Sequence, residues 1–183
     1  DYMQTPTGRV EVEKGFPKFT FQFTQSAPKV LDNDFQFSKI DFKTEFEKKY
    51  LNGQKTNLLF EAGYAIGDIP LTHLYNTSPN NITKETIVQR ITFSGKNSFE
   101  TMYFNEFFSS EFVYFQFKHG FNRVTILKKV KPSLVLVSRM AWGNLQKPER
   151  QVGLDYKTLN EGYFESGIEL NQIFKGLGLS AFY

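Results

Sequence analysis

Cysteine is absent from the 183-residue chain, which excludes disulfide scaffolds, thiolate zinc sites and thiol nucleophiles. Histidine is scarce: His73 and His119 are the only two, and neither has a neighbouring His or Cys. Long apolar runs are missing as well. No stretch approaches the ~18–20 uncharged apolar residues that a membrane helix needs. No one sign of charge dominates either, because 22 Lys and Arg against 19 Asp and Glu leave +3. There is no run of about five like charges, so nothing argues for a nucleic-acid partner. Repeats, low-complexity tracts, heptads and long helical patterns are lacking, and aliphatic residues are thin, with a mean hydropathy of −0.40. Asp1 is not an initiator and no signal peptide follows it. The expectation is a single domain over residues 1–183, cut from a longer polypeptide.

Aromatic residues are abundant instead: 21 Phe, 9 Tyr and 1 Trp, a content that disordered segments do not carry. They fall in rows of period two, the signature of half-buried strands. From Lys39 to Tyr50 one row is Lys39, Asp41, Lys43, Glu45, Glu47 and Lys49, all charged. The other is Ile40, Phe42, Thr44, Phe46, Lys48 and Tyr50. At ~3.3 Å per residue this is a strand of roughly 40 Å, where ~5–6 residues is usual. The alternation recurs with Phe19, Phe21 and Phe23. It returns with Leu58, Phe60, Ala62, Tyr64 and Ile66 against Glu61, and with Val113, Phe115 and Phe117 against Tyr114, Gln116 and Lys118. In a further segment Phe164, Ile168 and Leu170 alternate with Glu165 and Glu169. Weaker segments are Ile87–Ser94, Pro132–Gly143 and Gly176–Tyr183, giving about eight strands in all. Phe35 and Phe37 lie on the opposite phase to Ile40 and Phe42, which predicts a bulge or turn near Ser38. Asn52-Gly53 predicts a tight hairpin, whereas Gly67–Glu85 and Trp142–Asn160 are long loops.

Long strands, short turns at one end and long loops at the other predict an all-β, antiparallel transmembrane barrel, or part of one. In hydrocarbon every backbone group must be paired, so strands cross only in closed barrels. The lipid-facing row is then Ile40, Phe42, Phe46, Leu58, Phe60, Tyr64, Ile66, Val113, Phe115, Phe117, Phe164, Ile168 and Leu170. The lumen-facing row is Lys39, Asp41, Lys43, Glu45, Glu47, Lys49, Glu61, Glu165 and Glu169. Tyr50, Tyr64, Tyr163 and Trp142 lie near strand ends, where aromatic girdles sit. The alternative is a soluble β-barrel carrier of a lipid or other hydrophobic ligand, its Phe rows turned inward. Strand length, and the overfilling of a small barrel's interior by so many Phe, weigh against it.

Four segments, LFEAGYAIGDIPLTHLYN (Leu59–Asn76), FETMYFNEFFSSEFVYFQFKHGF (Phe99–Phe121), GYFESGIELNQIF (Gly162–Phe174) and KGLGLSAFY (Lys175–Tyr183), follow one another in that order. Together, from Asn33 to Tyr183, they resemble the C-terminal part of a Bacteroidetes outer-membrane family of unknown function. Its members usually carry an N-terminal carboxypeptidase-regulatory-like domain ahead of a β-barrel. The FETM-x-x-x-EF-x-S core is the most specific part. The regulatory domain has no counterpart here, and members commonly continue past the stretch matching Gly178–Tyr183, so the resemblance also implies a piece of a longer chain. It implies an outer-membrane location and a barrel architecture, with membrane lipid as the partner, and supplies no catalytic residues.

The chemical constellations reduce to bland readings. Gly176–Ala181 matches G-x-G-x-x-A in form but has no following helix to hold a pyrophosphate. Glu45 with Glu47, and Glu165 with Glu169, share strand faces as a glycosidase pair would, yet flanking lysines make ion pairing the cheaper account. Asp68 and Glu111 are too sparse to complete a metal site with His73 or His119. No catalytic residue, cofactor or metal is therefore expected. Phe99, Met102, Tyr103, Phe104, Phe107, Phe108 and Phe112 exceed what one lipid-facing row needs. They form a plug or fold-over inside the barrel, a surface for another subunit, or a loop packed on itself.

Overall fold

The alternating rows fold as strands in a computed structural model that describes residues 2–5, 8–11, 16–28, 35–81, 95–125, 131–151, 153, 155–174 and 177–183. Strands β1 (Tyr2–Thr5) and β2 (Gly8–Glu11) form a small antiparallel pair. The main sheet contains β3 (Lys18–Gln25), β4 (Phe37–Lys49), β5 (Lys55–Gly67), β8 (Glu111–Arg123), β9 (Ser133–Asn144), β10 (Tyr163–Phe174) and β11 (Leu177–Phe182). Between β5 and β8 lie β6 (Pro79–Asn81) and β7 (Phe99–Tyr103), a short parallel pair. The seven-stranded sheet has the order β11-β10-β9-β8-β5-β4-β3 and every neighbour is antiparallel. β4, β5 and β8 each run 13 residues.

The all-β, antiparallel expectation holds, and so does the division of connections. Residues 50–54, 124–132 and 175–176 join strands at one end, while residues 26–36, 68–110 and 145–162 join them at the other. Two finer expectations are corrected. The sheet is open: β3 and β11 are its edges and do not meet. Period-two patterning decides which face a residue takes and says nothing of how many strands complete a ring. There is no bulge at Ser38, because β4 pairs with β5 without a shift from Phe37↔Gly67 to Lys49↔Lys55. Phe37 changes phase because it points to the polar face, where it is buried against the His73 ring at 4.9 Å. The tight hairpin expected at Asn52-Gly53 is present, with three loop residues. Gly53 N–H bonds Tyr50 O and Tyr50 N–H bonds Gln54 O, both at 2.9 Å, with Gly53 at φ +89°. That is a turn closed by a left-handed glycine. The weak strand candidate Ile87–Ser94 lies outside the described residues apart from its surroundings.

The core does not lie under the Phe rows. The two long loops fold back over the polar face, where the Tyr75↔Ser109 bridge closes the first on itself and the Phe107↔Lys157 bridge joins it to the second. Ala65 N–H to Ser110 O (2.7 Å) and Gly143 N–H to Leu159 O (3.0 Å) tie them to the sheet. Phe99, Met102, Phe107 and Leu159 from the loops pack on Leu59, Tyr114 and Ala141 of the sheet. Leu74, Phe108 and Leu145 make a second cluster. Each fully buried large side chain contributes about 1.5–3 kcal/mol. Of the aromatic excess, Phe99, Met102, Phe107 and Phe108 are buried in the segment that folds over the polar face of the open sheet, whereas Phe104 stays exposed.

Candidate functional site

Cross-strand partners share a face, so the register sorts every side chain. Ile40↔Tyr64, Phe42↔Ala62, Phe46↔Leu58 and Ser38↔Ile66 link β4 to β5. Leu58↔Phe117, Phe60↔Phe115 and Ala62↔Val113 link β5 to β8. Phe115↔Met140↔Phe164 and His119↔Leu136↔Ile168 continue to β10, as does Leu134↔Leu170. All thirteen residues named above as lipid-facing therefore lie on one face of the sheet, and Phe21↔Phe42 adds the β3 row. That face is uncovered. Phe21 retains 67% of its surface, Phe164 60% and Leu179 71%. A shallow depression of about 810 Å³ beside Ile40, Phe42 and Trp142 interrupts it. Among the described residues, the Phe rows line this open surface and not an enclosed chamber.

Lys39, Asp41, Lys43, Glu45, Glu47, Lys49, Glu61, Glu165 and Glu169 share the opposite face. They neutralise one another. Lys43 bridges Glu61 at 2.9 Å and Glu45 at 3.3 Å, Lys55 meets Glu47 at 2.9 Å, and Lys118 meets Glu169 at 3.1 Å. Tyr75 in the fold-over donates to Asp41 at 2.6 Å, and the Lys39 ammonium lies 4.1 Å from the centre of its ring. Burial, reinforced by the Asp41 carboxylate, pushes the Tyr75 phenol far above its ordinary value, so it remains a donor.

The densest polar site was not legible from the sequence. One row across the sheet reads Lys18, Glu45, Leu59, Gln116, Arg139 and Glu165. Arg139 and Glu165 are completely sealed beneath the fold-over, their Nη1–Oε1 distance 2.6 Å. Arg139 Nε donates to Gln116 Oε1 at 2.9 Å, and Glu100 of the fold-over lies 3.7 Å from Nη1. Glu165 Oε2 accepts the Thr101 N–H and hydroxyl, each at 2.7 Å. Glu100 in turn accepts from Gly95 N–H (2.8 Å) and Asn80 Nδ2 (2.5 Å). Tyr114 donates to Asn97 O at 3.0 Å. Among the described residues Arg139 Nη2 has no hydrogen-bond partner; the Phe182 ring centre lies 5.0 Å from the guanidinium carbon. The cluster is a clamp, with the carboxylates of wall and fold-over sharing one guanidinium. Its signal in the sequence is a lone arginine in phase with Val137 and Ala141 inside an otherwise apolar strand.

His73 and His119 sit apart from this cluster. The His73 ring packs on Phe37 and its carbonyl accepts from Lys39 at 3.0 Å. His119 Nδ1 bonds the Thr56 hydroxyl at 2.9 Å between Phe117 and Phe121, on the apolar face. Asp68 pairs with Arg150, and Glu111 faces Gln146 and Asn144. Among the described residues no group of three or more His, Cys, Asp or Glu gathers to hold a metal. The Gly-rich segment runs as β11 over Leu177–Phe182.

Gly63 sets the closeness of fold-over to wall. A Cβ there would fall 2.5 Å from Phe112 Cε1 and 2.6 Å from Tyr75 Cζ. Gly63→Ala is expected to cost about 1–3 kcal/mol through this overpacking, read as a lower denaturant midpoint. Gly120→Ala, with nothing nearer than 3.7 Å, is the control and should cost less. No protein family, curated protein or solved structure matches the chain.

Proposed function

We propose that the chain is a segment of an outer-membrane β-barrel from a Gram-negative, Bacteroidetes-like envelope, in the family it resembles. Its role is structural, assembly-related or transport-related, and it performs no catalysis. The observation that carries this reading is the uncovered apolar face running across all seven strands of the main sheet. Water does not favour such a face; monomeric soluble proteins rarely expose contiguous patches beyond ~600 Å². Strands of 13 residues extend ~43 Å and, tilted by ~40°, span the ~25 Å apolar band with both interfaces. Tyr64, Trp142 and Phe164 lie toward the long-loop end and Tyr50 at the short-turn end, as two interfacial girdles. By the usual polarity of such barrels, the long loops face outward from the cell and the short turns face the periplasm. The neutralised, packed polar face supports a plugged barrel over an open channel.

Heat-modifiability tests the proposal. The envelope fraction, run on a detergent gel with and without boiling, should show the protein in the outer membrane with a boiling-dependent mobility shift. A soluble protein with no shift would overturn the reading.

A further inference from the structure

The two open edges of the sheet run in the same direction. Neighbours alternate strictly across seven strands, so the first and last, β3 and β11, both run from the short-turn end toward the long-loop end. Joining them directly would make a parallel seam. Bacterial single-chain barrels are antiparallel throughout, with an even strand number. Adding the β1–β2 hairpin beyond β3 would not help, because a hairpin contributes two strands and leaves the parity unchanged. A second copy fails in the same way: two copies oriented alike in one membrane give fourteen strands with two parallel seams.

We infer that the barrel is completed by an odd number of amphipathic strands of different sequence, lying between β3 and β11 and supplied from outside the strands described above. This rests on the membrane reading proposed above. The edges specify the chemistry of these strands. Phe19, Phe21 and Phe23 on one edge and Leu177 and Leu179 on the other are among the most exposed apolar side chains, at 54–71%. The inserted strands at the two seams run from the long-loop end to the short-turn end. They continue this apolar belt on the outside and present polar groups beside Thr20, Gln22, Gly178 and Ser180.

Residues 1–183 hold no cysteine, so disulfide trapping is clean once any cysteine of the added strands is replaced by serine. The experiment uses the full chain in its native envelope, with cysteine pairs across the two edges (Ser180→Cys with Thr20→Cys, Gln22→Cys or Thr24→Cys). Ile168→Cys with Ala181→Cys, established neighbours on β10 and β11, is the positive control. Disulfides need Cα atoms within ~7 Å, and one inserted strand already separates the edges by ~9.6 Å. In heat-modifiable protein the control pair should oxidise, and every edge pair should stay below ~10% of its yield, given that distance limit. An edge pair that oxidises as well as the control, within one copy or between two, overturns the inference. Loss of heat-modifiability in the unsubstituted protein removes the membrane reading instead, and this inference falls with it.

Discussion

Arg139→Ala is expected to lower the stability of the folded protein by about 3–5 kcal/mol, the cost of breaking a buried ion pair from one side. The magnitude follows from what the substitution strands. Glu165 is fully sealed and Glu100 nearly so, and neither can recover water while the fold-over stays in place. Two carboxylates then remain without the guanidinium between them. The readout is the denaturant midpoint in detergent, followed through the fluorescence of Trp142, the single tryptophan of these 183 residues. Trp142 packs edge-on against Phe164 at 5.1 Å and so reports on the β9–β10 wall. Arg139→Met combined with Glu165→Leu should recover half or more of the loss, because removing both charges removes their desolvation cost as well. A double-mutant interaction energy below ~0.5 kcal/mol, the level expected of independent sites, would show that the pair does not act as a clamp.

Phe60→Arg is expected to block membrane assembly. Phe60 is the sixth of the 13 residues of β5, which in the proposed barrel places it near the bilayer midplane. An arginine there costs about 2–4 kcal/mol in a transmembrane barrel, falling toward zero near the interfaces. Thr20→Arg, on the polar face of β3 opposite Lys43, changes the charge equally and should leave assembly intact. The measured quantity is the fraction of protein recovered in the outer membrane in heat-modifiable form. Equal recovery of the two variants would mean that the Phe face meets water or protein, not lipid.

The two faces of the sheet were legible in the sequence because charge and aromatic character alternate at the strand period, and Lys39–Lys49 leaves no other folding of its charges. Register across β4 and β5 was half-written in the same row, since Lys43 and Glu61 must meet to neutralise each other. The polar site was not legible. Arg139 stands alone in its strand, and its partners arrive from Glu165 on one side and from the Phe99–Ser110 stretch on the other. That stretch breaks the alternation, so no period marks which of its residues turn inward. The phase change at Phe37 was legible as a signal but misassigned: a residue turned under a loop looks like a bulge when the loop is unseen.

The fold-over also has a direction. Residues 68–110 leave the wall at the end of β5 and rejoin it at the start of β8, and these strands are neighbours in the sheet. Both tethers thus hang from the same end of the sheet. In the proposed barrel this segment would be drawn out over the long-loop rim, as a loop of rope is pulled from a jar, without threading the chain or parting a single pair of wall strands. The opposite mouth of that barrel, edged by short turns, would offer no such exit. Whatever force or ligand uncorked the proposed interior would act from the side where the long loops stand.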